Sequence, residues 1–360
     1  MRFGYRDALT YGYSNTRVKA MKAKLLDRQA KQTLINSKDF STMLSILFQS
    51  DYKPEIMDFG GVNMKSMLID FALSKNFARR INKIYDIAPR KKNWIIRSMI
   101  GRWDIYNAKL ALEAIDRRMS YEAIAEYVID SGPFNAQFIK EMMKEARIDE
   151  AFGRFMLKGG GYYGNMLKAA RSAYMKNKDV LEAIAEIDKR YYENLGNAAN
   201  AIEGESRNTA SLIRMDIDMK NVLTMIRGKR HTLKFADISN YIISNGSVAK
   251  SEVDRLYSGS SSVEDMLFNV KTFDLSEALK RYKAAEGGNR GLFVFETTMR
   301  NEIFNKATRL LSLSVLSFDV LTAYIYLKEI ELFNLRALIK GRIYGLEKDE
   351  IERLMVWRAN

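Results

Sequence analysis

The chain has 360 residues, with 58 Lys and Arg against 44 Asp and Glu, 47 % apolar residues, three prolines and no cysteine. The lack of cysteine excludes a disulfide framework and thiolate chemistry, and the single His231 leaves too few ligands for the usual His/Cys zinc site. The net charge of +14 favours anionic partners, such as nucleic acid or an anionic membrane surface.

Scarce prolines and the helical spacing of apolar residues predict an almost entirely α-helical protein. In chain order, glycine, proline and serine predict a loop at 51–63, a helix break at 158–161, a loop at 258–262 and a linker at 285–291. The apolar stretch 310–327 is almost long enough to cross a bilayer. Asp319 near its centre favours a core helix instead.

The spacing Gly159-x-Gly161-x-x-Gly164 matches the glycine fingerprint of dinucleotide-binding proteins. That fingerprint requires a preceding β-strand, whereas residues 148–157 have helical spacing. The sequence also has no P-loop and no G-x-S-x-G nucleophile elbow. We therefore expect no catalytic residue, no cofactor-binding site and no metal site.

A short pattern occurs three times, about 113 residues apart, which is the size of a small domain rather than of a solenoid repeat. It consists of an apolar residue, an acid, two variable positions and an asparagine. The acids and asparagines of the three copies are Asp104 and Asn107, Asp218 and Asn221, and Glu331 and Asn334. The likeness continues downstream in register, and it includes the aligned residues Met119, Leu233 and Leu346, and Gly132 with Gly246.

The repeat predicts three related helical units. The first covers 63–175, the second covers 176–289, and the third combines 1–62 with 290–360. The third copy ends soon after its motif, and the N-terminal run beginning at Phe40 resembles the segments that follow the other motifs, from Ile148 and from Val263. We therefore expect the two termini to complete the third unit and to close the units into a ring of approximate threefold symmetry.

The repeated asparagine is expected to point into the core. On a helix, Asn221 shares one face with Ile217 and Met225, four residues before and after it. A buried amide needs hydrogen-bond partners. Because the motif occurs three times, we favour a packing role that fixes helix register over a catalytic pair of acid and amide.

A candidate basic interface consists of residues from the first unit and of residues just after the second and third motifs: Arg79, Arg80, Arg90, Lys91, Lys92, Arg227, Lys229, Lys340 and Arg342. The first copy departs from this pattern. It has Glu113 and Ile115 where the other copies have basic residues. The role of the basic positions is therefore open in the first unit.

The segments LKEIELFNLRALIKGRIYGL (327–346), RMDIDMKNVLTMIRGK (214–229), KRYYENL (189–195) and YGYSNTRVKAMKAKLL (11–26) resemble the C subunit of archaeal and V-type rotary ATPases, whose eukaryotic counterpart is the d subunit. The resemblance spans nearly the full length. It implies an all-α funnel of three related domains and a non-catalytic part of the central stalk, without cofactors.

The same resemblance implies a position on the cytoplasmic side of the cell membrane, peripheral to it. The implied partners are the membrane proteolipid ring and the central shaft subunits of the D and F type. The expected role is to transmit torque between ion transport and ATP synthesis or hydrolysis. The alternative is a basic, all-helical nucleic-acid-binding protein, but the sequence shows no helix-turn-helix spacing and no aromatic stacking motif, so we expect no nucleic acid.

Overall fold

The computed structural model describes residues 5–37, 39–144, 147–284 and 290–356. The regular structure in these ranges is helical, and no β-strand occurs in them. The predicted all-α class is therefore confirmed. The linker predicted at 285–291 lies largely outside the described residues.

In the described ranges the α-helices, numbered in chain order, are α1 Tyr5–Lys22, α2 Arg28–Asn36, α3 Phe40–Phe48, α4 Lys53–Asp58, α5 Ile69–Ile87, α6 Asn93–Asp116, α7 Tyr121–Ile124, α8 Ala136–Met143, α9 Ile148–Asn177, α10 Val180–Ile202, α11 Arg207–Arg230, α12 Phe235–Ile238, α13 Lys250–Gly259, α14 Val263–Phe268, α15 Ser276–Ala284, α16 Arg290–Leu313, α17 Asp319–Ile343 and α18 Lys348–Leu354. Short 3-10 turns lie at Gly61–Asn63, Ser66–Leu68, Arg90–Lys92 and Ala125–Tyr127.

The chain forms two compact bodies. The N-terminal body comprises Ala20–Tyr191 and Leu338–Leu346, and the C-terminal body comprises Met1–Lys19, Tyr192–Ala337 and Glu347–Asn360. Each body has fully buried aromatic side chains in its core, among them Phe77, Phe134 and Phe155 in the first and Phe295, Phe318 and Tyr324 in the second. The three sequence-based units follow a different division and stay a prediction.

The three motif helices α6, α11 and α17 end in the same way. A residue in the left-handed conformation follows each helix: Arg118 with φ 54°, Thr232 with φ 53° and Gly345 with φ 72°. The next residue returns its N–H to the last turn, in the bonds Met119 to Ala114 at 2.8 Å, Leu233 to Gly228 at 3.0 Å and Leu346 to Gly341 at 2.8 Å. This is the Schellman arrangement, in which the residue after the left-handed one is commonly apolar. The recurrence of Met119, Leu233 and Leu346 in the sequence thus has a local structural cause.

The junction between the N-terminal helices α2 and α3 is capped in the same way as the junction between α13 and α14. The C-cap residues Ser37 and Ser260 each donate a side-chain hydrogen bond to the carbonyl four residues earlier, at 2.8 and 2.7 Å. The following helices begin after Asp39 and Ser262, whose side chains accept from the backbone N–H three residues on. The N-terminal segment therefore shares these local caps with the segment that follows the second motif, and its assignment to the third copy stays a prediction.

Three details of the chain differ from the sequence predictions or refine them. The stretch 310–327 is not one helix, because α16 ends at Leu313 and Asp319 begins α17. The predicted loop at 51–63 contains α4, since Pro54 lies in the first turn, where its missing N–H costs nothing. The predicted break at 158–161 is confirmed as a single non-helical residue, Gly160 with φ 60° and ψ −157°, inside α9.

None of the described helices combines the length and the apolar character needed to cross a membrane.

The three equivalent helix ends generate a stability prediction. Thr232 is β-branched in a left-handed conformation, whereas its counterpart Gly345 has no Cβ to clash. We expect Thr232→Gly to raise the free energy of unfolding by about 1 kcal/mol and Gly345→Thr to lower it by about 1 kcal/mol or more. Urea unfolding measures both. A Gly345→Thr protein that is more stable than the native chain would contradict the left-handed conformation at residue 345.

Candidate functional site

The repeated asparagines make the same bonds in all three copies. Each side-chain amide is buried and forms two reciprocal hydrogen bonds with the backbone of the residue 22 positions further on. The amide nitrogen donates to the carbonyl of that residue and the amide oxygen accepts from its N–H. The two distances are 2.7 and 3.0 Å for Asn107 with Ile129, 2.9 and 2.8 Å for Asn221 with Ile243, and 3.0 and 2.7 Å for Asn334 with Val356.

We call this paired interaction the asparagine clamp. A side-chain amide carries the same donor and acceptor as a peptide group, so it can satisfy one residue's N–H and C=O together. The clamped residues Ile129, Ile243 and Val356 are themselves buried. They lie outside the helices, so the hydrogen bonds of a helix do not satisfy their backbone groups. Without the clamp, the N–H and C=O of Ile243 and Val356 would be buried unpaired, which is costly. In the first copy the N–H of Ile129 would be unpaired, whereas its carbonyl also accepts from the N–H of Ser131 at 2.8 Å. The clamp therefore fixes the returning chain against the motif helix.

The acid of the motif holds the next turn of the chain. Asp104 accepts from the N–H of Phe134 at 3.2 Å and from the Tyr163 hydroxyl, and Asp218 accepts from the N–H of Ser247 at 3.0 Å. Glycine lies against each carboxylate. A Cβ on Gly132 would lie 2.3 Å from an Asp104 oxygen, and one on Gly246 would lie 2.2 Å from an Asp218 oxygen. The glycines that align in the sequence are thus required by close approach of the backbone to the acid.

The third copy uses its acid differently. Glu331 accepts from the ammonium group of Lys328 at 2.7 Å, and both side chains are almost fully buried. Breaking such a pair leaves an uncompensated charge in the interior. The residues equivalent to the glycine turn of the other copies are at 357–360, outside the described residues.

Burial perturbs the acids of the first two copies. It raises the pKa of Asp104 to about 6, although the hydrogen bonds from Tyr163 and Phe134 oppose the shift. It also raises the pKa of Asp218, against the bonds from Ser247. Raised carboxyl pKa values are frequent at catalytic sites. Here the donors that surround each acid are a backbone turn and side chains of the same packed core, which is a structural setting.

A further buried acid, Asp319, joins two motif helices of the C-terminal body. It is the first residue of α17, and its carboxylate accepts from the N–H of Thr209 at 3.0 Å, in the first turn of α11. The side chains of Ser206, Asn208 and Thr209 also donate to it. A carboxylate in this position satisfies free N–H groups and interacts favourably with the helix dipole. Asp319 therefore caps a neighbouring helix as well as beginning its own.

Arg79 and Arg80, which the sequence assigns to a basic interface, have acidic partners inside the N-terminal body. The Nε of Arg79 is 2.5 Å from a Glu55 oxygen, and the Nε of Arg80 is 2.6 Å from an Asp51 oxygen. Arg80 is buried. These contacts give both residues a packing role between α5 and the start of α4, and an interface role stays a prediction.

Arg90, Lys91 and Lys92 form the 3-10 turn that precedes α6. Arg90 and Lys91 are exposed, and Lys92 is partly buried. Trp94, at the start of α6, is 45 % exposed beside them. Of the basic residues that the sequence singles out, this turn presents the most accessible cluster.

The basic residues after the second and third motifs are mostly held by internal partners. Lys229 donates to the carbonyl of Ser260 at 2.6 Å, and its counterpart Arg342 donates to the carbonyl of Ile35 at 2.8 Å. Lys340 lies 3.0 Å from an Asp70 oxygen and 4.8 Å from the centre of the Tyr127 ring. Arg227 is exposed.

No group of three or more His, Cys, Asp or Glu residues that could hold a metal occurs in the part of the chain that the structure describes. The Gly159-x-Gly161-x-x-Gly164 string lies inside α9, and α8 is the element before that helix. It therefore lacks the strand that a dinucleotide fingerprint needs. His231 is exposed at the end of α11.

Known proteins resemble this chain over almost its whole length. The family model described as ATP synthase (C/AC39) subunit matches residues 14–354. The C subunit of the A-type ATP synthase of Thermoplasma acidophilum is 25 % identical, with 96 % of this chain and 98 % of the relative covered. The C subunits of the A-type ATP synthases of Methanosarcina acetivorans and Methanocaldococcus jannaschii are 27 % and 23 % identical, covering 96 % and 97 % of this chain and 92 % and 87 % of the relative.

The clamp generates a prediction about stability. Asn334→Leu removes both hydrogen bonds and leaves the N–H and C=O of Val356 buried without a partner, so we expect a loss of roughly 1 to 3 kcal/mol in the free energy of unfolding. Asn107→Leu and Asn221→Leu should each cost a similar amount. The exposed Asn63→Ala is the control. An Asn334→Leu protein that is as stable as the control would contradict a structural role for the clamp.

The raised pKa of Asp104 predicts a dependence on pH. The folded state binds the Asp104 proton more tightly than the unfolded chain, whose aspartate titrates near pH 4, so this group stabilises the fold below about pH 4 and loses that stabilisation as the pH rises to 6. The asparagine of Asp104→Asn does not titrate, so the variant does not lose this stabilisation as the pH rises. The stability of the variant relative to the native chain should therefore rise by up to roughly 3 kcal/mol between pH 4 and 7.

The control for this measurement is Asp149→Asn. The Arg171 side chain lowers the pKa of Asp149, so the sign is opposite, and this variant should lose stability relative to the native chain as the pH rises through 4. Chemical denaturation across the pH range checks both variants. The same trend in both would show that Asp104 is not the titrating group.

Proposed function

The chain belongs to the ATP synthase (C/AC39) subunit family, and from this premise we propose that it is the socket that joins the rotor shaft to the membrane proteolipid ring of an A-type rotary ATPase. As a member of this family it is one part of the ATP synthase complex and not an enzyme by itself. Its proposed task is mechanical. It transmits torque between ion transport and ATP synthesis or hydrolysis.

The observation that carries the proposal is the match to the family along residues 14–354, together with relatives named as the C subunit of A-type ATP synthases that align over 87 to 98 % of their own length. The three asparagine clamps support the mechanical part of the proposal, because a part that transmits torque must resist deformation. Each clamp ties a returning segment to a long helix by two buried bonds.

We also propose that the two termini complete the third unit and close the molecule into a funnel of approximate threefold symmetry. Two contacts support closure. In the C-terminal body, Asn15 of α1 forms reciprocal bonds of 3.0 Å with the backbone of Ser317. In the N-terminal body, Arg342 of α17 donates to Ile35 of α2.

The proposed partners are the central shaft subunits of the D and F type and the proteolipid ring, and the proposed location is the cytoplasmic face of the cell membrane, peripheral to it. The net charge of +14 and the exposed cations Arg90 and Lys91 support a position near an anionic leaflet. Nucleic acid is not needed to explain this charge.

Reconstitution with purified ring and shaft tests the proposal. The native chain should co-elute with both and should restore ATP-driven ion transport to a complex that lacks it. Lys340→Ala combined with Arg342→Ala removes the contacts with Asp70 and Ile35. We expect this variant to hydrolyse ATP within the complex but to transport fewer ions per ATP, because the closure loosens.

The control variant is Lys348→Ala combined with Arg353→Ala, which removes two exposed cations of α18 and should leave coupling unchanged. Failure of the native chain to bind ring and shaft would refute the proposed function. Normal coupling in the Lys340 and Arg342 variant would refute only the closure.

A further inference from the structure

We propose that an open cleft in the C-terminal body binds a small oxyanion, either a phosphate or a carboxylate. The cleft has a volume of about 580 Å³, within the usual range for small-molecule sites. It lies beside the C-terminal half of α10, the N-terminal half of α11 and the loop 245–249. Its polar lining comes mainly from Asn200, Glu203, Arg207, Ser211 and Arg214.

The acid of the cleft is already neutralised. Arg214 binds Glu203 through two parallel hydrogen bonds, of 2.6 and 2.7 Å, and the same guanidinium donates to the Asn200 oxygen at 2.9 Å. A bidentate pair of this kind is among the strongest charge-assisted contacts. Glu203 therefore offers little negative charge to a ligand.

The donors of the cleft are not used up. The Arg207 side chain is exposed, lies near enough to Glu203 to help lower the pKa of that acid, and makes no side-chain hydrogen bond to the described residues, so its guanidinium can bind an anion. Since the Asn200 oxygen already accepts from Arg214, the amide nitrogen of Asn200 is left to donate. The Ser211 hydroxyl accepts from the Lys306 ammonium, and its own proton is then directed elsewhere.

The residues that line the cleft carry more positive than negative charge. Two of the residues that line the cleft, Arg207 and Arg214, are cations, and Glu203 is the only carboxylate among the described lining residues. Behind the lining, Lys306 contacts Ser211 and the buried acid Asp218 contacts Ser247. Asp319, the other acid near Lys306, is occupied in capping α11. A site that is rich in donors and net positive is complementary to a ligand with several acceptor oxygens and a negative charge, which is an oxyanion.

The cleft also adjoins the second motif. Gly246 and Ser247 form part of its wall, and both lie against Asp218. An anion bound next to this loop would restrain the segment that the motif acid holds. Occupancy should therefore raise the stability of the C-terminal body, as any ligand that binds only the folded state does.

Calorimetric titration of the full chain with inorganic phosphate, and separately with succinate, tests the proposal. We expect saturable binding of one or both, and the relative affinities identify whether a phosphate or a carboxylate is preferred. Arg207→Gln should weaken that binding by roughly tenfold or more, because it removes the cation with free donors. Ser211→Ala should weaken it less.

Arg255→Gln is the matched control. Arg255 is an exposed arginine of α13 that pairs with Glu252 and does not line the cleft, so its replacement changes the net charge equally and should leave binding unchanged. Equal weakening in the Arg207 and Arg255 variants would show nonspecific attraction to a basic protein and would overturn the proposal. The absence of saturable binding of either anion would overturn it as well.

Discussion

The structure depends on buried asparagine side chains, whose amides form the hydrogen bonds that a backbone peptide group would otherwise form. Each motif helix is followed by a chain reversal, and the chain that returns must bury an N–H and a C=O outside any helix. Asn107, Asn221 and Asn334 meet this requirement with one side chain each, because an amide presents a donor and an acceptor in the right geometry. Serine would lack the reach to satisfy both groups at once, and an ionised aspartate would lack the donor. This explains why asparagine occurs at all three positions.

The features around the clamp follow from the same constraint. The motif helix must end where the chain can turn back, and in all three copies it does so through a left-handed residue and a Schellman bond. In the first two copies the acid one turn before the asparagine binds the next segment, and this requires Gly132 and Gly246 at the contact. The third copy keeps the clamp but pairs its acid with Lys328. The clamp is thus the part of the motif whose geometry is common to all copies.

Much of this arrangement is readable from the sequence. Apolar spacing and scarce proline predict the helices, and a shared helix face predicts that the asparagines are buried. The partner of each asparagine could not be derived in the same way, since helix periodicity says nothing about a residue 22 positions downstream in an irregular segment. One signal was present: Ile129 aligns with Ile243 and Gly132 with Gly246, in a stretch without helical periodicity. Such alignment indicates a tertiary constraint.

Other features depend on contacts that a linear pattern does not contain. Asp319 looks like a charge inside an apolar helix, yet it begins a helix and caps another through the N–H of Thr209. Arg80 looks like part of a basic surface, yet it is buried against Asp51. In both cases the residue type supplies the charge, and a partner from elsewhere in the chain determines its environment. Local patterns therefore predict helices better than they predict which charges face a binding partner.

Hydrogen exchange of single amides tests the central claim most directly. The N–H groups of Ile129, Ile243 and Val356 lie outside the helices and are each bonded to an asparagine side chain. We predict that these three amides exchange as slowly as those of the motif helices, because exchange requires the clamp to open. Exchange at the rate of an exposed amide outside the helices, such as that of Lys271, would show that the clamps do not hold the returning chain and would contradict their central role.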